Sequence, residues 1–177
     1  WSSVETAEEI RQKLEFAGIN LSNESSHCVA TGYGRISVPY ADKTVTEITC
    51  HALGAVHLFQ HPDLTVIDIG GQDTKIIQIE QGFVKDFIMN DKCAAGTGRF
   101  LEVMANTLSL RPNEMFDLAR LGSDTTISSM CTVFAESEVI GLIGKGEPKE
   151  NIAYAVVNST IRKVAAQVSR MNGEMFT

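Results

Sequence analysis

The stretch "LTVIDIGGQDTKIIQIEQGFVKDFIMNDKCAAGTGRF", Leu64 to Phe100, decides the fold. Its apolar runs "LTVIDIG", "TKIIQIE" and "GFVKDFIM" are separated by short turns, Gly70-Gly71 in the first and Gln81-Gly82 in the second. Runs of this length, rich in isoleucine and valine and joined this tightly, predict an antiparallel meander. After Met89 the period becomes helical, through "TGRFLEVMANTL", "PNEMFDLARL" and "AESEVIGLIGKG". Pro112 stands where a first helical turn accepts proline. "PKENIAYAVVNSTIRKVAAQVSRM" then carries Ile152, Val156, Val164 and Val168 on a helical repeat.

Upstream, "SSVETAEEIRQKLEFAG" puts Val4, Ala7, Ile10 and Leu14 on one face, with serines to cap the start and Gly18 to end it, which predicts a helix. "SHCVATGYG" reads as a short buried strand entering a glycine turn. "KTVTEITCHALGAVHLF" reads as a second helix with Ile48, Ala52, Ala55 and Phe59 inward. A strand and helix, then a meander, then helices predict an α/β lobe with a helical subdomain inserted or appended.

With 177 residues the chain has room for one good-sized core or two small lobes. At 44% hydrophobic and 21% charged residues its composition is that of a soluble globular protein, and no apolar run nears the roughly 20 residues of a bilayer span. A net charge of −7 argues against a general nucleic-acid binder, so any bound phosphate is expected on a local backbone site. No signal peptide opens the sequence, and Cys28, Cys50, Cys93 and Cys131 lack the close pairing of a secreted disulfide scaffold. A reducing, cytoplasmic setting is expected. The sequence starts at Trp1 and stops at "NGEMFT" without a polar tail, so a piece of a longer protein is expected too.

The meander delivers Asp68 to a strand end directly before Gly70-Gly71. Glycines let turn amides approach a phosphate, and a carboxylate there can hold Mg2+ through water. Gln72, Asp73 and Lys75 are placed to orient water or screen phosphate charge; a plain Gly-Gly hairpin remains the alternative. Gly96-Thr97-Gly98 opens a helix, where free amides and the positive dipole end favour an anion, although ordinary capping gives the same pattern. Cys93 and Cys131 each precede a candidate helix, which stabilises a thiolate, and metals and iron–sulfur clusters need thiolates. The alternative is two inert buried thiols. Two thiols do not complete a tetrahedral set, but a two-fold dimer presents four. Cys28 and Cys50 are expected in the core, and His51 and His57 match no zinc spacing. Arg35 in "ATGYGR" is a candidate charge partner, and Glu47 a candidate cleft residue.

In this order, "ATGYGR", "TEITCHALGA", "VIDIGGQDTKII", "MNDKCAAGTGRFLEVMA" and "SSMCTVFAESEVI" closely resemble the ATP-dependent activators of 2-hydroxyacyl-CoA dehydratases. The 2-hydroxyglutaryl-CoA dehydratase activator type is the nearest, in the family that also holds benzoyl-CoA reductase ATPase subunits. The resemblance covers nearly everything from about Ala30 onward.

That resemblance implies an α/β, actin-like ATPase fold of the actin/hexokinase/Hsp70, ribonuclease H-like kind, with two lobes around a nucleotide cleft. Residues 1–64 would be the remainder of the first lobe and a connecting helix. Residues 65–177 would be the second lobe, with the nucleotide hairpin, cluster cysteines and helical subdomain. It implies ATP/ADP and Mg2+, with Asp68 and Gln72 in catalytic roles and Gly70, Gly71, Asp73, Lys75, Gly96, Thr97 and Gly98 around the nucleotide. Cys93 and Cys131 would hold one 4Fe-4S cluster per homodimer. Reduced ferredoxin or flavodoxin would supply the electron, and ATP hydrolysis would drive it to the dehydratase component; no nucleic acid or membrane partner is implied. Two family features are missing: an N-terminal "D-x-G-S/T" phosphate hairpin and the "G-G" adenosine motif that follows a segment like "NGEMFT". The fold is therefore expected to be incomplete at both ends, and the fragment alone inactive. Competing readings are a small-molecule kinase of the same fold, for which no hydroxyl-activating aspartate stands out, and a non-catalytic nucleotide- or redox-sensing fragment.

Overall fold

The computed structural model describes residues 2–21, 23, 25–128 and 131–171; the "NGEMFT" stretch, 172–177, lies outside the described residues. The chain divides into two compact units, one of residues 1–62 and 81–84, the other of residues 63–80 and 85–177.

In the first unit, helix α1 (Ser3–Phe16) starts where Ser2 N–H donates to the Glu5 carboxylate at 3.3 Å. Only Ala7 of its expected inward face is buried. The helix packs on a 3-10 turn, Tyr33–Ser37, and Tyr40 Oη donates to Ala7 O at 2.8 Å. So short a partner leaves Val4 and Ile10 exposed. Strand β1 (Val29–Ala30) pairs in parallel with β2 (Lys43–Thr44), and helix α2 (Glu47–Phe59) follows, capped by Thr46 Oγ1, which accepts from Thr49 N–H at 3.2 Å. The cysteines expected in the core are only half-buried. Cys28 precedes a strand two residues long, too short to build a sheet core, and its N–H donates to Asp42 Oδ2. Cys50 lies beside the buried Ala52 and Ala55 line of α2, with its thiol 3.5 Å from Thr31 Oγ1. Phe59, expected inward, is exposed.

The meander is β3 (Leu64–Ile69), β4 (Thr74–Glu80) and β5 (Phe83–Asn90), with β4 in the middle, and apart from Phe83 and Val84 it belongs to the second unit. The β3 and β4 strands are antiparallel, with Asp68 opposite Lys75 and Ile69 opposite Thr74. In β4, Thr74, Lys75, Ile76, Ile77 and Ile79 are all buried, so both of its faces are covered. Helices α3 (Gly98–Thr107), α4 (Pro112–Ala119), α5 (Thr132–Gly144) and α6 (Lys149–Val168) follow. They close a core of Phe100, Met104, Met115, Val139, Ile152 and Val156, with α6 lying against α4. The expected inward positions Ile152, Val156 and Val164 of α6 are buried. Among the described residues no helix is long and apolar enough to cross a membrane.

Candidate functional site

The turn between β3 and β4 is closed by Gly70 N–H, which donates to Asp73 O at 2.9 Å. Register then places Asp68 and Lys75 across from each other at the mouth of the hairpin. Lys75 is 2% exposed, and its Nζ lies 2.6 Å from Asp73 Oδ1 and 3.6 Å from Asp68 Oδ2. A buried ammonium needs such partners, because an unpaired charge out of water is costly. Gly71 and Gln72 are exposed at the tip. The hairpin therefore offers solvent a glycine amide and a partly exposed carboxylate, with its cation held beneath.

The start of α3 is built onto this turn. Gly98 N–H donates to Gly70 O and Arg99 N–H to Gly71 O, each at 2.8 Å. A Cβ at position 98 would stand 3.2 Å from Gly70 O and Gly71 Cα, so a side chain there would make the neighbouring backbone give by a few tenths of an ångström. Thr74 Oγ1, at the foot of β4, donates to Gly96 O at 2.6 Å. Gly96 itself has φ +88, a left-handed conformation that a side chain would strain. Thr97 Oγ1 turns back to donate to Ala94 O at 2.6 Å. The amides of Gly98 and Arg99, among those expected to be free for an anion, are thus engaged by the hairpin.

The loop before α3 is braced by Asn90, whose Nδ2 donates to Cys93 O at 2.9 Å and Ala95 O at 3.0 Å. Cys93 is half-buried against the helical core. Cys131 is exposed and stands as the N-cap of α5. Both thiols are free, and each precedes a helix. Among the described residues, no group of three or more His, Cys, Asp or Glu is arranged to hold a metal ion. Cys93 and Cys131 alone do not complete a four-thiolate set. Beside Cys131, α5 exposes Val133 and Phe134, each 66% accessible, with Ile140 and Ile143 further along.

The other candidates fall in the first unit. Arg35 donates to Gly32 O at 2.8 Å inside its own turn, and Glu47 lies 3.7 Å from His51. Asn90 and Thr74 were not singled out from sequence. An asparagine ahead of a loop is a known backbone brace, but Thr74 looks like any β-branched strand residue.

The model of the BadF/BadG/BcrA/BcrD ATPase family matches residues 3–176. The chain belongs to this family. Among BadF/BadG/BcrA/BcrD relatives, it is 46% identical over 170 residues to the (R)-2-hydroxyglutaryl-CoA dehydratase activating ATPase of Acidaminococcus fermentans, covering 93% of this chain and 64% of that protein. It is 50% identical over 145 residues to the activator of lactoyl-CoA dehydratase of Anaerotignum propionicum, covering 81% and 55%. The crystal structure of component A of the Acidaminococcus fermentans dehydratase superposes with a TM-score of 0.79 at 44% identity, over 96% of this chain and 65% of that one. The activator of 2-hydroxyisocaproyl-CoA dehydratase from Clostridium difficile, solved with bound ADPNP, gives 0.77 at 38%, over 93% and 62%. The fold is thus the α/β, actin-like ATPase fold of these activators. The chain spans less than two-thirds of the length of each of these relatives.

Proposed function

We propose that this chain is the nucleotide- and cluster-bearing part of an ATP-dependent activator, which passes one low-potential electron to a 2-hydroxyacyl-CoA dehydratase. The observation that carries this reading is the pair of 2.8 Å backbone bonds joining the hairpin to the helix that follows Cys93. A nucleotide reading alone leaves the cysteines without a role, and a redox reading alone leaves the hairpin without one. The latch makes them one mechanical unit.

The residues fit both groups. Gly71 presents a backbone at the exposed tip, Asp68 is partly exposed, and Gln72 stands in solvent where it can orient a water against a terminal phosphate. Asp68 would hold Mg2+ through water, and Asp73 and Lys75 would set the charge behind it. Cys93 and Cys131 supply two free thiols, and a homodimer supplies the four that a 4Fe-4S cluster takes. When bound, that cluster supplies one-electron chemistry. The exposed apolar stripe of α5 beside Cys131 gives a second copy a surface to cover.

The chain's own part is coupling. A change of phosphate occupancy that moves the Gly70-Gly71 turn pulls on Gly98 and Arg99, and so on α3 and the Asn90-braced loop that carries Cys93. Exposure and hydrogen bonding around a cluster are levers on its potential. The electron would come from reduced ferredoxin or flavodoxin and leave to the dehydratase component. The test is to purify the full-length protein without oxygen and measure iron, sulfide and EPR spectra. One 4Fe-4S cluster per dimer, lost in Cys93→Ser and in Cys131→Ser, is expected. An iron-free dimer would overturn the reading.

A further inference from the structure

Against the loop that carries Cys93, the second unit holds a cavity of about 580 Å3. Asn90, Ala95 and Gly96 form one part of its wall, and α6 with the turn after it forms another. Among the described residues, none of the hairpin turn from Gly70 to Lys75 lines it. The chain has 22 acidic and 15 basic residues, yet the residues lining this cavity include Arg162, Lys163 and Arg170 and no carboxylate. None of these three side chains makes a hydrogen bond or ion pair with a described residue. Glu138 comes no nearer than the rim, where it accepts from Ser128 N–H at 3.1 Å and Ser128 Oγ at 3.2 Å. The Lys163 stem runs past Gly96, where a Cβ would stand 2.9 Å from Lys163 Cγ. Gln167, also in the wall, is 9% exposed, and its Oε1 accepts no hydrogen bond. A buried acceptor is normally paired. Ile88, Met89, Phe100 and Ile127 make the remaining wall apolar. Basic residues also suit a plain helix C-terminus, but there they need neither a cavity nor an apolar wall.

We propose that this cavity is a second ligand site, which takes a small organic phosphate. Arginine forks and a lysine ammonium suit a phosphate dianion. The apolar wall suits an organic body, and the volume lies within the range of roughly 300–1,000 Å3 usual for small-molecule sites. Gln167 Oε1 adds a requirement for a hydroxyl or amine on that body. The site is distinct from the hairpin and does not rest on the activator reading above.

The experiment is calorimetric titration of the full-length protein with phenyl phosphate and with inorganic phosphate, each with and without saturating ADP. Phenyl phosphate is expected to bind at one site per chain, at least about tenfold tighter than inorganic phosphate because its ring is buried. ADP is expected not to displace it. Arg162→Ala and Arg170→Ala, both at exposed positions, are each expected to weaken it about tenfold, the scale of one hydrogen bond to a charged group. Arg120→Ala, an exposed arginine outside the cavity, is expected to leave it unchanged. Displacement by ADP would assign the phosphate to the hairpin and overturn the inference. An equal loss in Arg120→Ala would overturn it too, as would phenyl phosphate binding no tighter than inorganic phosphate. Protein that binds ADP and neither phosphate would overturn it and leave the nucleotide reading standing. Failure to bind ADP would overturn that reading, while the phosphate titrations still decide the cavity.

Discussion

The amide of Gly98 donates to the carbonyl of Gly70 at 2.8 Å, tying the first residue of α3 to the turn of the hairpin. A methyl group at position 98 would stand 3.2 Å from both Gly70 O and Gly71 Cα, so the two backbones must part. Gly98→Ala is expected to lose about 1–3 kcal/mol, the usual range for overpacking, and to weaken ADP binding together with it. Thermal denaturation and an ADP titration on the same protein check this. A variant as stable and as tight as wild type would show that the latch does not constrain the hairpin.

Asn90→Ala removes both donors that brace the loop carrying Cys93, leaving the Cys93 and Ala95 carbonyls without them. A loss of about 1–3 kcal/mol is expected, because part-buried acceptors are left without a partner. The more specific signature is chemical. Reaction of the Cys93 thiol with a disulfide reagent should speed up in a Cys28→Ser/Cys50→Ser/Cys131→Ser background, where it is the one thiol left.

Lys75→Met breaks the buried ion pair with Asp73 and takes the ammonium from that carboxylate. Destabilisation of about 3–5 kcal/mol is expected, read as a lower denaturation midpoint in urea. Asp73→Asn/Lys75→Met, which removes both charges, is expected to recover much of that loss. If the double variant is no more stable than Lys75→Met, the pair is not what the buried site depends on.

Thr125 Oγ1 and then Asn151 Nδ2 donate to Glu147, at 2.5 Å and 3.0 Å, and hold its carboxyl below the ordinary carboxylate range. The folded state therefore binds that proton more weakly than the unfolded chain does. The contribution is full above the ordinary carboxylate value, about 4.3, and is lost as pH falls through the lower folded value. Glu147→Gln is expected to flatten this part of the acid limb in a series of melting temperatures from neutral pH downward. An unchanged difference between the two proteins across that range would count against the assignment.

The meander and the cysteine-to-helix spacing were legible because they rest on short-range rules: apolar runs of strand length, glycine turns and helix starts. The candidate residues could be named from the sequence, but their contacts could not. Asp73 and Lys75 are two apart in sequence, and nothing in that spacing says that the lysine is buried under the turn. Thr74 gave no signal at all, since its bond to Gly96 crosses 22 positions and depends on where β5 returns the chain. The α1 face misled for a related reason, and so did Phe59 at the end of an α2 face whose Ala52 and Ala55 are buried. Helical periodicity names the face that can be buried, but whether Val4 is covered depends on what lies opposite, and α1 packs on a short 3-10 turn.

The hairpin-to-helix latch is made by main-chain atoms alone, so at position 99 it tolerates a change of side chain. The Arg99 side chain points to solvent and pairs with Glu102, while its amide does the joining. Most replacements at position 99 would leave the joint in place, and proline, which has no amide hydrogen, would sever it. A saturation library at position 99 should therefore read almost flat with one deep notch, whereas a library at position 98 should peak at glycine and fall away as the side chain grows.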